Sequence, residues 1–311
     1  MPQPVTSHRA LAGLTVLERG WLSSNNVLLH GQGAGALLVD SSHVRHAEQT
    51  VALVRQALAG EALAGIVNTH LHSDHCGGNA AVHQALGGTI TTPPGSFQAA
   101  RQWDEDALTF RHTGQLCRRF TPDAALTPGQ PLQQGGRHWQ VLAAPGHDEH
   151  SVMLFDADHG VLISADALWE NGFGVVFQEL EGESAFDDVA SVLDLVERLD
   201  PHWVIPGHGA PFQDVAGALQ RARQRLAVFR ADPARHARHG LKVLIKYHLM
   251  EEQSQPLADF EAWFAGAPLC QLVWQRLGRP EGSLPAYADQ LVHDLLRGGA
   301  LALREGRLHN A

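Results

Sequence analysis

The residues with the clearest chemical capacity lie in NTHLHSDHCGGN, residues 68–79. His70 and His72 follow directly on the apolar run LAGIV. In an extended or turning chain alternate residues face one side, so both imidazoles can converge on one ion. Asp74 and His75 fall in the turn that follows, and Gly77 and Gly78 let the backbone bend tightly before the next helix. Imidazole together with carboxylate suits Zn²⁺ and its borderline relatives Mn²⁺, Fe²⁺ and Co²⁺. Four donors within six residues exceed what one ion with an open position takes, so two adjacent metal sites are expected. Further ligands should then stand at later strand ends. His147 sits in APGHDEHS after HWQVLAA, Asp166 in ISADAL after GVLIS, and His208 in IPGHG after HWVI. Strand-to-loop junctions are where α/β folds gather functional groups from distant parts of the chain. One of the 20 histidines alone would read as an ordinary surface or hydrogen-bonded residue, but an ordered series does not.

Positioning these groups falls to short β-like runs that recur before about residue 213. They are LTVLE (14–18), NVLLH (26–30), GALLVD (35–40), LAGIVNT (63–69), HWQVLAA (138–144), SVMLFD (151–156), GVLISA (160–165) and HWVIPG (202–207). Several are apolar nearly throughout, as in strands covered on both faces. Helical stretches lie between them at 43–59, 78–86, 96–119 and 184–199, and this interleaving predicts a layered α/β domain. Beyond residue 213 the pattern is mostly helical, with a connecting helix at 215–230, then 242–250 and 256–266. Residues 284–310 read as an amphipathic helix and then strand–turn–strand about Gly306, which together predict a winged-helix-like module. Two domains follow, 1–213 and 214–311.

Composition narrows the classes. The 311 residues are 44% hydrophobic and 18% charged, ample for a packed core, with a net charge of −10. Residues 1–220 carry −14 and residues 221–311 carry +4. No apolar run approaches the ~20 residues that span a bilayer, and the start does not read as a secretory signal, so no membrane partner is expected. Three scattered cysteines, Cys76, Cys117 and Cys270, form no disulfide framework, and a cytoplasmic home is expected.

The ordered set HxHxDH, PGH, AD and PGHG resembles the metallo-β-lactamase superfamily of metal-dependent hydrolases over about residues 12–212. The resemblance implies a four-layer αββα sandwich. Carried over residue by residue, it places His70, His72 and His147 on one metal, Asp74, His75 and His208 on a second, and Asp166 between the two. The cofactors implied are two divalent ions, zinc first, with iron or manganese next. Two cations ~3.5–4 Å apart share a hydroxide, lower its pKa towards neutrality and stabilise the developing oxyanion. Asp74 then orients that hydroxide and moves its proton. The family's PGHTxGHS reads PGHDEHS here. His150 keeps the second histidine, while Asp148 and Glu149 add negative charge beside the metals.

Neighbouring residues receive plainer roles. Cys76 is expected to be a small buried residue under the glycine turn, while Asp40 and Asn68 fix loops by hydrogen bonding. The stretch 91–120 lies where the superfamily varies its substrate cover, which makes Trp103, Leu108 and Phe110 candidate pocket residues. Phe173 and Phe177, in the glycine-containing 170–180, are candidate walls.

Asp166 as bridge, and histidine where the antibiotic-hydrolysing branch has cysteine, direct the reading to glyoxalase II-like thioesterases, lactonases and phosphodiesterases. The C-terminal region resembles the β-lactamase-like-protein-2 group, some of whose members cut single-stranded RNA. The favoured function is a binuclear hydrolase of a small ester, thioester or lactone, with the C-terminal module covering the pocket or forming a homodimer. The alternative is a nuclease or phosphodiesterase on single-stranded RNA. Nucleic-acid binding needs a clear basic stripe, and here Glu251, Glu252, Asp259 and Glu261 dilute one.

Overall fold

The apolar runs become strands of two sheets in a computed structural model that describes residues 9–311. The first sheet holds β1 (Leu14–Leu17), β2 (Asn26–Leu29), β3 (Ala36–Val39), β4 (Leu63–Val67), β5 (Thr89–Thr92) and β6 (Ala124–Ala125) in that order. Pairing is antiparallel from β1 to β3 and parallel from β3 to β6. The second sheet holds β7 (Pro131–Gln134), β8 (Arg137–Ala143), β9 (Val152–Asp156), β10 (Val161–Ala165) and β11 (Trp203–Pro206). Its pairs are antiparallel except for β10 with β11. β5, β6 and β7 escaped the sequence reading because TITT, AA and PLQQ carry little apolar signal.

Between the sheets, Val16, Val27, Leu29 and Val67 meet Trp139, Val141, Leu154 and Ile205. The outer face of the first sheet buries Leu38, Ile66 and Ile90 against Val54, Val82 and Ala100. Those three come from the helices Ala47–Leu58, Asn79–Leu86 and Pro94–Gln102. The outer face of the second sheet buries Met153, Leu162 and Val204 against Val189, Leu193 and Val196 of Phe186–Leu199. The strands β2, β9, β10 and β11 are therefore buried on both faces, and the layers run helix, sheet, sheet, helix.

Two expectations change in detail. Residues 96–119 are not one helix. Pro94–Gln102 stops where Trp103 turns left-handed (φ 59°), and Asp104 Oδ1 accepts the Asp106 and Ala107 amides at 3.1 Å each. A side chain that bonds local backbone in this way competes with helix. The helix Val215–Ala231 also packs Ala218, Leu219, Ala222 and Leu226 into the core of the second sheet. By packing, it goes with the first region.

Beyond it lie the helices Pro233–Glu252, Leu257–Gly266, Pro268–Arg276 and Leu284–Arg297. A small antiparallel sheet is ordered β12, β14, β13, from β12 (Ser254–Pro256), β13 (Leu301–Arg304) and β14 (Arg307–Asn310). Their core contains Ile245, Leu249, Phe260, Phe264, Leu291 and Leu308, joined by Val175 and Leu180 from the first region. Among the described residues no helix is long and apolar enough to cross a membrane.

Candidate metal centre

Four strand ends, drawn from both sheets, meet at one place. The chain leaving β4 carries His70 and His72, and the single-turn helix Ser73–Cys76 carries Asp74 and His75. His147 lies on the β8–β9 loop, Asp166 directly after β10, and His208 beyond the end of β11, after Gly207. All seven are at most 9% exposed. Close approach constrains the chain around them: a Cβ on Gly207 would run into Asp166 Oδ1, and one on Gly174 into His147 Nδ1.

The donors form two groups, His70 with His72 and His147, and Asp74 with His75, Asp166 and His208; within each, donor atoms lie within 4.8 Å of one another. His72 Nδ1 is 3.1 Å from His70 Nε2 and 2.8 Å from His147 Nε2. His208 Nε2 is 3.0 Å from Asp74 Oδ2. Asp166 reaches into both groups, with Oδ2 3.4 Å from His147 Nε2 and Oδ1 3.4 Å from His75 Nε2.

Other buried groups orient these donors. His75 Nδ1 pairs with Asp40 Oδ2 at 2.8 Å, which directs Nε2 inward. Asp40 also accepts the Thr69 amide and hydroxyl at 2.8 and 2.7 Å. Asn68 donates to the His75 carbonyl and exchanges bonds with Asn79. His147 Nδ1 donates to the Val175 carbonyl at 2.6 Å and so turns Nε2 to the centre. Such carboxylate and carbonyl partners fix imidazole tautomer and ring orientation.

The electrostatics suit cations. Burial, with the neighbouring histidines, takes His70 well below the usual histidine range. Burial likewise takes His72 and His147 down to about 4, so all three are neutral at pH 7. In the other group burial acts against charge but loses. Asp166, Asp40 and Asp74 hold His75 well above its usual value, and His75 and His208 hold Asp74 at about 2. His75 and the neighbouring imidazoles also hold Asp166 well below the usual carboxylate range, against the effect of burial. His72 Nδ1 faces two neutral imidazole nitrogens and can share a proton with only one of them. His75 Nε2 is fully buried with no hydrogen-bond partner. Converging neutral imidazoles in the first group and ionised carboxylates in the second are donors that a pair of divalent cations requires, so the residues fit that cofactor.

A cavity of about 240 Å³ opens from this cluster, with His72 and His147 in its lining beside Leu71, Leu108 and Phe177. Phe177 stands edge-on to His72 and His147 at 5.1 and 5.9 Å. Trp103 and Phe110 lie elsewhere. Trp103 and Phe110 pack with Phe120 in the core outside the first sheet, because the early end of Pro94–Gln102 turns them inward. Phe173 packs against Phe229 in the core of the second sheet and also borders a small pocket beside His147 and Asp166. His150 lines the cavity and pairs with Glu149 at 3.0 Å. Cys76 is buried, with its sulfur 3.8 Å from that of Cys117, and belongs to neither donor group.

Three contacts were not anticipated from the sequence. Trp169 Nε1 donates to Asp166 Oδ1 at 3.1 Å, Trp21 stacks on His208 at 5.4 Å, and Tyr247 Oη bonds Ser73 Oγ at 2.7 Å. Trp169 lies three residues after Asp166, which is a local signal. Trp21 and Tyr247 are remote in sequence and carry none.

The chain matches the Metallo-beta-lactamase superfamily over residues 19–208. It is 31% identical over 157 residues to the acyl-coenzyme A thioesterase MBLAC2 of Gallus gallus, covering 46% of this chain and 55% of that protein. The chain thus spans about half the length of that curated relative. It is 30% identical over 216 residues to the hydroxyacylglutathione hydrolase of Anaeromyxobacter dehalogenans (strain 2CP-C), covering 67% of this chain and 73% of that one. A crystal structure of a metallo-beta-lactamase family protein from Thermus thermophilus covers 96% of this chain and 99% of its own, with TM-score 0.56 and 22% identity. Sequence match, shared fold and the two donor groups at strand ends agree: the chain belongs to the metallo-beta-lactamase superfamily.

Proposed function

We propose that this protein is a binuclear metal-dependent hydrolase of small thioesters or esters, lactones included. One observation carries the reading: Asp166 stands between two complete donor groups, and one of those groups opens into a cavity. The relatives named acyl-coenzyme A thioesterase and hydroxyacylglutathione hydrolase support the thioester class. His70, His72 and His147 would hold one cation and Asp74, His75 and His208 the other, with Asp166 shared. Zinc suits this donor set best, then iron or manganese.

When bound, the two cations would lower the pKa of a water towards neutrality and polarise the scissile carbonyl. Asp74, ionised and 3.0 Å from His208 Nε2, accepts the proton from the attacking water at a carboxylate oxygen and passes it to the leaving group. Water oxygen joins the acyl carbon, the C–S or C–O bond breaks, and the thiol or alcohol departs with that proton. Phe177 and Leu108 shield the acyl group from bulk water. Elemental analysis, followed by turnover of a thioester, ester and lactone panel, tests the proposal. Fewer than one metal per chain after reconstitution, or no turnover across the panel, overturns it.

A second reading has its own support. The C-terminal order of helix, strand, three helices and a two-stranded hairpin fits a winged-helix-like module, and residues 221–311 carry +4. Single-stranded RNA is the substrate it would serve, and labelled RNA belongs in the same panel. The acidic lining of the cavity weighs against it.

A further inference from the structure

The cavity's charge is one-sided. Asp148, Glu149, Glu181 and Glu183 line it, and no lysine or arginine is among its described lining residues. It is the mouth of the donor cluster, with His72 and His147 in its wall and the fully buried Nε2 of His75, 3.4 Å from Asp166 Oδ1, in the cluster behind. Two sequence features build the acidic rim. Asp148 and Glu149 occupy the loop where this chain departs from the family's usual PGHTxGHS, and Glu181 and Glu183 follow Phe177 at the end of the helix Phe177–Glu181.

The rim is only partly neutralised. His150 faces Glu149 at 3.0 Å and His112 faces Glu181 at 3.3 Å. Arg276 approaches from the C-terminal region, but its guanidinium donates to the Glu181 carbonyl oxygen at 3.2 Å. Burial raises the Glu181 carboxyl; His112 opposes that rise, and Glu183 and Glu149 add to it. Phe177 adds an aromatic ring to the same lining, and ammonium groups bind such faces. At about 240 Å³ the space falls below the ~300–1,000 Å³ usual for drug-sized ligands, so a compact substrate is required.

We infer that this cavity selects small thioesters or esters bearing an ammonium group and disfavours anionic ones. The inference rests on the hydrolase reading above and adds the charge class of the substrate. Clustered carboxylates in a walled site raise the local concentration of cations and repel anions. Carriers rich in phosphate or carboxylate would meet this rim unfavourably.

Three acetyl thioesters with the same scissile bond test it on the metal-loaded protein: acetylthiocholine (cationic), S-ethyl thioacetate (neutral) and S-acetyl-3-mercaptopropionate (anionic). kcat/KM should fall in that order, with cation over anion about tenfold or more at low salt and less at high salt. In Glu181→Gln/Glu183→Gln that ratio should fall at least threefold, since Asp148 and Glu149 remain. Turnover of the neutral thioester without charge preference, or with the anion preferred, overturns the inference and leaves the hydrolase reading standing. No turnover of these thioesters, with none across the ester and lactone panel, removes the hydrolase reading instead. Calorimetry of the thioether analogue of acetylthiocholine with metal-free protein then decides the charge question alone. Binding at least threefold weaker in the double variant supports it, while no binding or equal binding overturns it.

Discussion

The two regions of the chain bury different things. The first buries polar groups in quantity at the strand ends, among them Asp40, Asn68, His70, His75, Asn79, His147 and Asp166. The second buries aromatic and aliphatic side chains such as Phe260, Phe264, Leu291 and Leu308. Among the described residues after 215, the buried charged or polar ones are His236 and Glu251, and both face the first region. His236 sits against Phe186 and Phe229, while Glu251 pairs with His43 Nε2 at 2.9 Å. Burying an ionisable group without function is unfavourable, so dense polar burial marks the chemistry and sparse polar burial marks the seam. Tyr247 belongs to the same seam: through Ser73 it braces the turn that carries Asp74 and His75.

The sharpest way to break this contrast is at the metal centre. Asp74→Asn keeps size but removes the carboxylate, and turnover should fall on the order of 100-fold or more, as for lost acid–base groups. Near wild-type turnover in the metal-loaded variant would show that polar burial there is not catalytic.

Stability against pH probes the seam. Burial, helped by the His239 and Arg225 charges, takes His236 down to about 4, against 6.5 for a free histidine. A depressed pKa means the unfolded chain takes up the proton first as pH falls. The contribution is therefore complete above about pH 6.5 and lost towards pH 4, at most about 3 kcal/mol. Urea midpoints at pH 7 and 4.5 should drop less in His236→Leu than in wild type, and equal drops would refute the assignment.

Tyr247→Phe deletes one hydroxyl bond at the brace, worth about 1 kcal/mol. In competition with a chelator, the variant should hold metal roughly fivefold less tightly if that energy reaches Asp74 and His75. Unchanged retention would show that the C-terminal region touches the centre without supporting it.

The smallest effect is expected at Arg297, Arg304 and Arg307. Arg297 already pairs with Asp294, and Arg307 bonds Ser254. Replacing all three by Ala should leave small-ester turnover within about threefold, since exposed charges away from a site act weakly. Steeply salt-dependent RNA binding by wild type that the triple variant loses would favour the second reading instead.

Much of this was legible beforehand because the donors and the strands that end on them are adjacent in sequence. HLHSDH follows β4, and Asp166 and His208 follow β10 and β11, so an apolar run with a donor after it announces both position and chemistry. The pocket was harder to read. Trp103 and Phe110 read as walls, since an aromatic beside a functional loop has the same composition whether it faces solvent or core. Where Pro94–Gln102 stops decides which way Trp103 and Phe110 point.

What the sequence by itself determined is what repeats locally: strand and helix periodicity, the order of the donors, and the acidic substitution in PGHDEHS. Tertiary structure alone decided what depends on residues far apart meeting. Asp166 spans two donor groups brought from four strand ends, and Tyr247 reaches Ser73 across 174 positions. Glu181 and Glu183 join Asp148 and Glu149 around a single cavity. Local pattern encodes the elements because side-chain periodicity follows backbone geometry. Such meetings follow from how the two sheets and the C-terminal helices bury their apolar faces together, and no window of sequence contains that packing.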